Sequence, residues 1–395
     1  MTTLQHSGPT TVAAAMAALP RVVDLLAARA DELDREGTFP YQGIEAVHEA
    51  GLLTLTVGAR YGGTAAGLAD TVRVLGELGR GDASVALVAA GTLLHHAAQS
   101  HHGFWPEPLY RALLEESRRG PALAATLRSE PADDTAGPSE IPATVARRTP
   151  GGWLLHGRKT RCTGAEALSW MAVPARTDEP VPRVGTFLVR GDAPGIEIDP
   201  TWDHLGLRAS AGHDVLLNDV LVPERAAVGL RDPGIRPGAG QDGPEAQGPE
   251  ALAAAWRNLA LPAVQLGAAR AARDWLVGFL HRRDTSRAPA PRAALGEIEI
   301  RLACAEDLLT ALAQRIDQGD PAAVPRTGPA GLLAVRAAVS SVEQALALAG
   351  DQGLSRANPL ERHHRDILCG RTHCPQEDAV LTGAGSAALA RAASR

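Results

Sequence analysis

Aromatic residues are scarce: Phe, Trp and Tyr together make up 3% of the 395 residues, so the cores must be built from Ala, Leu and Val. Cysteine is rarer still. The four thiols (Cys162, Cys304, Cys369 and Cys374) contain no CxxC pair, which argues against both a disulfide framework and a zinc ribbon. No metal site is expected. Charge of one sign is also lacking: 39 Lys and Arg face 45 Asp and Glu, a net charge of −6. A nucleic-acid binder needs a basic surplus to neutralise phosphates, so that class is excluded. No apolar run approaches the roughly 20 residues of a membrane helix. The opening MTTLQHSGPTT has neither the basic start nor the apolar centre of a signal peptide. A soluble, cytoplasmic protein is expected, with no nucleic-acid or membrane partner. What is present is ordinary globular material, 45% hydrophobic and 21% charged, which excludes disorder. The length exceeds what one core usually fills, so two or three domains are expected.

Periodicity divides the chain. Residues 12–120 read as helical: VVDLLAARADELDREG puts Val22, Leu25, Leu26 and Leu33 on one face. The run TVRVLGELGRGDASVALVAAGTLLHHAA is apolar all round and predicts a buried helix. Over 121–230 the period changes to short β-branched runs bounded by Gly, Pro and Asp, such as GWLLHGRKTRCTG and DVLLNDVLVPE. Strands at that spacing without intervening helices predict a small barrel or sandwich. Residues 231–250 are Gly/Pro/acid punctuation and read as a loop. Helical periodicity returns over 251–395 in segments long enough for an antiparallel bundle. The fold class is α+β, mostly α: helices, a β-domain, then a helical bundle.

In that order the motifs resemble those of the acyl-CoA dehydrogenase superfamily of flavoenzymes. They are FPYQGIEAVHEAGLLTLTVGARYGG, LRSEPADD (127–134), GGWLLHGRKTRCTGAEALSWMAVPART (151–177), WDHLGLRASAGHDVLLNDVLVPE (202–224) and the segment ending at Arg365-Asp366. The likeness implies that fold, with a four-helix C-terminal bundle, a bound flavin, and a homodimer or homotetramer. By the same likeness Arg161, Cys162 and Thr163 line the isoalloxazine, with Thr163 beside N5, and Ser129 donates to it. Read without the likeness, Thr163 begins a turn and Ser129 ends a strand. The Cys-Thr-Gly-Ala run is closer to the monooxygenase branch typified by dibenzothiophene monooxygenase.

Dehydrogenases of this superfamily remove an α-proton with a glutamate just past the terminal Arg-Asp. Here His373-Cys374-Pro375-Gln376 stands there. An earlier helix that carries the base in some relatives offers Arg257, while Glu250 falls in the expected loop. A general base is worth on the order of 10²–10⁴-fold, so another residue must substitute or the reaction must not begin with proton abstraction. His373 is the expected proton-handling group, with Glu377 second and Asp378 third; the other reading of His373 is a helix-end cap. Among His95, His96, His101 and His102, the resemblance draws His96 to the substrate pocket, and the last two read as a solvated helix end. For the adenosine half of FAD, Arg283 matches the superfamily's arginine and Gly350-Asp351-Gln352-Gly353 its glycine turn, but Asp351 would repel a diphosphate. FAD is the expected cofactor, with FMN the alternative. The reading is oxidation of an acyl thioester by hydride transfer to flavin N5, with an electron-transfer partner. The first alternative is a two-component monooxygenase of a small molecule, served by a flavin reductase; the second is a non-catalytic flavin or acyl binder. Arg208 is expected to anchor a contact between domains.

Overall fold

A computed structural model describes residues 11–131, 141–233, 248–283, 289–372 and 377–393. Five helices open the chain: α1 (Val12–Glu36), α2 (Tyr41–Glu49), α3 (Leu68–Gly81), α4 (Ala83–His102) and α5 (Glu107–Ser117). Helix α1 ends where Gly37 turns left-handed (φ 66°) and donates its N–H to the Leu33 carbonyl. Leu19, Val22, Val23 and Leu26 of α1 are buried, whereas Leu25, which the heptad-like spacing placed on the same face, is 41% exposed. It lines a groove of about 220 Å³ between α1, α2 and the α3–α4 joint, a gap that periodicity alone does not reveal. Helix α4 is buried almost throughout, as its apolar circumference predicted. Asp82 caps its start by accepting from the Ser84 and Val85 amides.

The middle domain is one eight-stranded sheet. Its strands are β1 (Leu123–Thr126), β2 (Val145–Thr149), β3 (Gly152–Lys159), β4 (Leu168–Thr177), β5 (Val184–Arg190), β6 (Ile196–Asp199), β7 (Asp214–Val222) and β8 (Ala227–Arg231). Their order is β6-β7-β3-β2-β4-β5-β8, with β1 joined parallel to β4. Five helices follow among the described residues: α6 (Pro249–Arg282), α7 (Pro289–Asp317), α8 (Thr327–Ala349), α9 (Leu360–Gly370) and α10 (Glu377–Ala393). Because α6 already begins at Pro249, Glu250 lies in its first turn and not in a loop. The stretch Pro321–Leu354 is long and apolar enough to cross a membrane by composition, contrary to the sequence reading. Half of its apolar window is buried against the protein, where α8 packs on α6 and α7.

Two close approaches position the site. Helix α4 lies between α6 and β1; a Cβ at Gly91 would sit 3.3 Å from the Ala124 carbonyl, and Thr92 Oγ1 accepts the Ala124 N–H at 3.1 Å. The loop before β7 sits on α9 so tightly that a Cβ at Gly206 would come within 2.3 Å of Arg365 backbone, which leaves room only for glycine.

Candidate active site

The exit of β1 and the turn between β3 and β4 are clamped together from beneath. Lys159, at the end of β3, is wholly buried, and its ammonium donates to Glu130 Oε1 at 2.6 Å and to the Pro174 carbonyl at 2.7 Å. Glu130 also accepts from the Thr144 hydroxyl (2.6 Å) and N–H (3.0 Å). These partners hold its carboxyl below the usual range against the burial that would raise it. One residue outward on each segment, the Thr160 N–H donates to the Ser129 carbonyl at 2.9 Å. The two segments expected to line the flavin are therefore neighbours.

The turn that follows is built from unusual backbone. Arg161 is left-handed (φ 52°), with its N–H on Asp214 Oδ1 at 3.3 Å. Cys162 donates its N–H to the His213 carbonyl (2.9 Å), and its buried thiol is pushed up to about 12. Cys162 is thus committed to the protein. Gly164, left-handed at φ 72°, packs toward Val88 of α4 and toward Phe39. Thr163 and Ser129 differ from Cys162: both are half-buried, and among the described residues neither hydroxyl nor amide has a hydrogen-bond partner.

Helix α4 supplies the wall beside β1. His95 is buried between Trp105, whose Nε1–H donates to Nδ1 at 3.4 Å, and Thr126, whose Oγ1 is 3.0 Å from Nε2. Indole is only a donor, so Nδ1 must be bare and the neutral ring carries its proton on Nε2, donating to Thr126. The Thr126 hydroxyl hydrogen is then free for a ligand. Burial first and Arg128 second lower His95 to about 4, so the ring is neutral at pH 7. His96, the histidine favoured from sequence, points elsewhere: it is fully buried, its Nδ1 is 2.9 Å from Tyr110 Oη, and burial lowers it to about 3. Two arginines stand on the flanking segments: Arg128 follows β1, and Arg257 is on α6, next in sequence to the buried Trp256, whose ring packs 5.4 Å from His101. Burial, then Arg128, brings Arg257 down to about 10. Thr126 and Arg128 went unnoticed in the sequence, although an arginine leaving an apolar strand just before Ser-Glu-Pro was a usable signal.

The remaining expected residues are dispersed. His373, with Cys374 and Gln376, lies outside the described residues. Glu377 opens α10 and pairs with Arg336 of α8, and Asp378 is exposed. Arg283 lies over the Phe279 ring (4.8 Å) at the end of α6, and Gly350 and Gly353 follow α8. Arg283 is 26 residues along from Arg257, about 39 Å at 1.5 Å per residue. Those residues stand at the far end of the bundle from Arg257. Nearer the β-domain, Leu207 N–H donates to Asp366 Oδ1 at 2.7 Å, and Arg365 binds Asp34 at 2.6 Å. Arg208 Nε donates to the Asp34 carbonyl at 2.8 Å, joining the β-domain to α1. Burial pushes Asp366 up to about 7 despite Arg362 alongside. Among the described residues no group of three His, Cys, Asp or Glu is placed to hold a metal.

Three family profiles cover the chain in order: acyl-CoA dehydrogenase N-terminal domain over 20–103, middle domain over 125–220 and C-terminal domain over 259–376. A protein of Bacillus subtilis (strain 168) described as putative acyl-CoA dehydrogenase YdbM is 31% identical over 93% of this chain and 94% of its own. The chain belongs to the acyl-CoA dehydrogenase family. L-evernosamine nitrososynthase of a Micromonospora species is 30% identical, over 88% of this chain and 85% of its own. The solved structure of KijD3 with FMN and a dTDP-linked amino-keto sugar superposes with a TM-score of 0.82 at 26% identity, covering 98% and 96% of the two chains. The KijD3 structure holds the flavin FMN, and this protein is accordingly an oxidoreductase of the same family. Its residues fit that flavin. Ser129 and Thr163 present donors that no atom of the described residues uses, and an isoalloxazine offers acceptors where reduction places negative charge.

Proposed function

We propose that this enzyme oxygenates a small molecule and does not desaturate an acyl thioester. The observation that carries this reading is Arg257 on α6. A cation at a position where some relatives keep a proton-abstracting carboxylate opposes the loss of a proton to that helix. The other expected carboxylates give no replacement: Glu377 is neutralised by Arg336 and Asp378 faces solvent. A bound flavin supplies the two-electron chemistry and the reaction with oxygen. The chain's own contributions are fixed donors and a fixed proton. Ser129 and Thr163 hold the ring through hydroxyl and amide donors, and the neutral His95 keeps its Nε2 proton on Thr126, leaving the threonine hydrogen to be given to substrate or oxygen. His373 remains the second proton-handling residue of this proposal, with His96 supporting the pocket from behind. Arg283, Gly350 and Gly353 belong to the flavin site of a neighbouring subunit in a homo-oligomer.

One feature favours the dehydrogenase as a second reading. Glu250, now in the first turn of α6, is the carboxylate whose field reaches both Arg128 and Arg257. Anaerobic mixing of flavin-loaded enzyme with a series of acyl-CoA thioesters separates the two. Oxygenation predicts no loss of visible flavin absorbance, and rapid oxygen consumption once the flavin is chemically reduced. Stoichiometric bleaching by any thioester, abolished in Glu250→Gln, would establish the second reading and overturn the first.

A further inference from the structure

Trp105 lies beyond the end of α4, yet its ring returns to the helix. Gly103 closes α4 in the left-handed conformation (φ 66°), which turns the chain back along the last helical turns. Gln99 then fastens Trp105 by its main chain: Oε1 accepts the Trp105 N–H at 2.6 Å, and Nε2 donates to the Trp105 carbonyl at 3.2 Å. The same buried amide donates to the Tyr61 hydroxyl at 3.0 Å, so its two ends cannot exchange places. Gln99 and His95 are four residues apart and share one face of α4. The clamp thereby brings the Trp105 indole against the His95 ring. The two meet edge to face at 90°, with the indole Nε1–H on Nδ1 at 3.4 Å. The indole is buried, and edge contacts with Trp170 (5.3 Å) and Tyr110 (6.5 Å) hold it from other sides.

A neutral imidazole carries its proton on either nitrogen, and its hydrogen-bond partners choose which. A backbone carbonyl at Nδ1 would fix the proton there, and a hydroxyl or water would allow both forms. An indole has a donor and no acceptor, so opposite Trp105 only the form protonated on Nε2 is bonded at both nitrogens. The indole also opposes the imidazolium, which would set a second N–H against its own. Thr126, 3.0 Å from Nε2, does not decide, because a hydroxyl donates and accepts. We infer that Trp105 is a positioning residue: its indole N–H locks the His95 proton on Nε2, which makes the Thr126 hydroxyl a fixed hydrogen-bond donor to substrate or oxygen. No proton leaves either side chain. In the opposite tautomer Nε2 would accept the Thr126 hydrogen, and the donor would be lost. This role rests on the reading that Thr126 serves the oxygenation chemistry proposed above.

The test uses flavin-loaded, full-length protein with isotope-labelled histidine rings, followed by nitrogen NMR, the His95 signals being those lost in His95→Gln. Wild type should show a protonated Nε2 and a bare, hydrogen-bonded Nδ1 between about pH 6 and 8. Trp105→Phe keeps an aromatic ring toward Trp170 and Tyr110 and removes the donor; its His95 signals should shift to mixed tautomers or to protonated Nδ1. Thr126→Val takes away the acceptor at Nε2, but the proton should stay there because Trp105 is unchanged. A wild-type ring protonated on Nδ1, or a Trp105→Phe ring with the wild-type pattern, overturns the lock. So does a shift to Nδ1 in Thr126→Val. The wild-type and Thr126→Val spectra decide the matter even if Trp105→Phe does not fold. Oxygen consumption by the chemically reduced enzyme should fall roughly 10²-fold in Thr126→Val and at least about 10-fold in Trp105→Phe, with flavin content unchanged. A shifted tautomer with full oxygen consumption would overturn the positioning role. Bleaching of wild-type enzyme by an acyl-CoA would sink the oxygenation reading alone, since the ring spectra require no turnover.

Discussion

Replacing Lys159 by Met tests how the two donor-bearing segments are held. The ammonium is fully buried against a carboxylate that is 5% exposed, and it contributes bonds of 2.6 Å to Glu130 and 2.7 Å to the Pro174 carbonyl. Methionine keeps the length and much of the volume of the stem, so little cavity is created. What remains is a buried carboxylate without its counter-charge, a loss of about 3–5 kcal/mol. Glu130 retains both Thr144 bonds, which argues for the lower end, about 3 kcal/mol. That is a change of about two orders of magnitude in the ratio of folded to unfolded protein. The sign with pH follows from Glu130. In wild type its carboxyl is depressed, so the stability it contributes is present above the unfolded carboxylate range and is lost as pH falls through the folded value. In Lys159→Met the carboxyl is raised instead, and protonation relieves the unpaired charge. Urea unfolding of the flavin-free protein should therefore show a deficit of about 3 kcal/mol at pH 7.5 that shrinks by pH 5. The double variant Lys159→Met/Glu130→Gln should recover most of it. Flavin affinity should drop in the single variant, because Ser129 and Thr160 hang directly on the clamped residues. A deficit below about 0.5 kcal/mol at pH 7.5, or one that is unchanged at pH 5, would refute the reasoning.

Three further outcomes follow from particular contacts. His95→Gln should lower turnover by roughly 10²-fold with flavin content unchanged; because the ring is already lowered to about 4, the wild-type pH–rate profile should show no imidazole titration from it between pH 6 and 8. Asp366 holds its proton to about pH 7 when folded and releases it near 4 when unfolded. Its contribution to stability therefore falls as pH rises across that window, by at most about 1.4 kcal/mol per pH unit, and Asp366→Asn should flatten that part of the unfolding curve. Arg208→Ala removes the bond to the Asp34 carbonyl and should cost about 1–2 kcal/mol, read as a lower melting temperature with flavin absorbance retained.

The helices, the sheet and their order were legible because each rests on local signals. Apolar spacing marks α1 and the uniformly apolar run marks α4, while Gly37 and Gly164 end or turn the chain where only a left-handed residue suits. The exceptions are equally local in cause. Leu25 has the spacing of a buried residue but faces a groove, because α1 and α2 do not close over it. The spacing predicts a loop at Glu250 because the Gly/Pro punctuation before it continues to Pro249, a residue equally at home in the first turn of a helix.

The site was legible as a set of segments and not as a set of atoms. Ser129 and Thr163 were named by motif, and the hydrogen bond from Thr160 to Ser129 makes them neighbours. Between His95 and His96 no motif could decide. Consecutive helical residues point about 100° apart, and a helix apolar on every side carries no stripe to fix its rotation. The choice falls to Trp105 and Thr126, which take His95, and to Tyr110, which takes His96. Arg128 and Arg257 are less visible still. They are 129 positions apart, on a strand exit and a helix, and each reads as an unremarkable surface charge until the fold lays α6 and β1 on either side of α4. Glu377 shows the converse. Its spacing from Arg365-Asp366 places it within a turn of the expected base, yet a new helix starts there and Arg336, reached only through the packing of α8, claims the carboxylate. Spacing along the chain can nominate a carboxylate for proton transfer, but the partner that leaves it free or neutralises it is chosen by helices outside the motif.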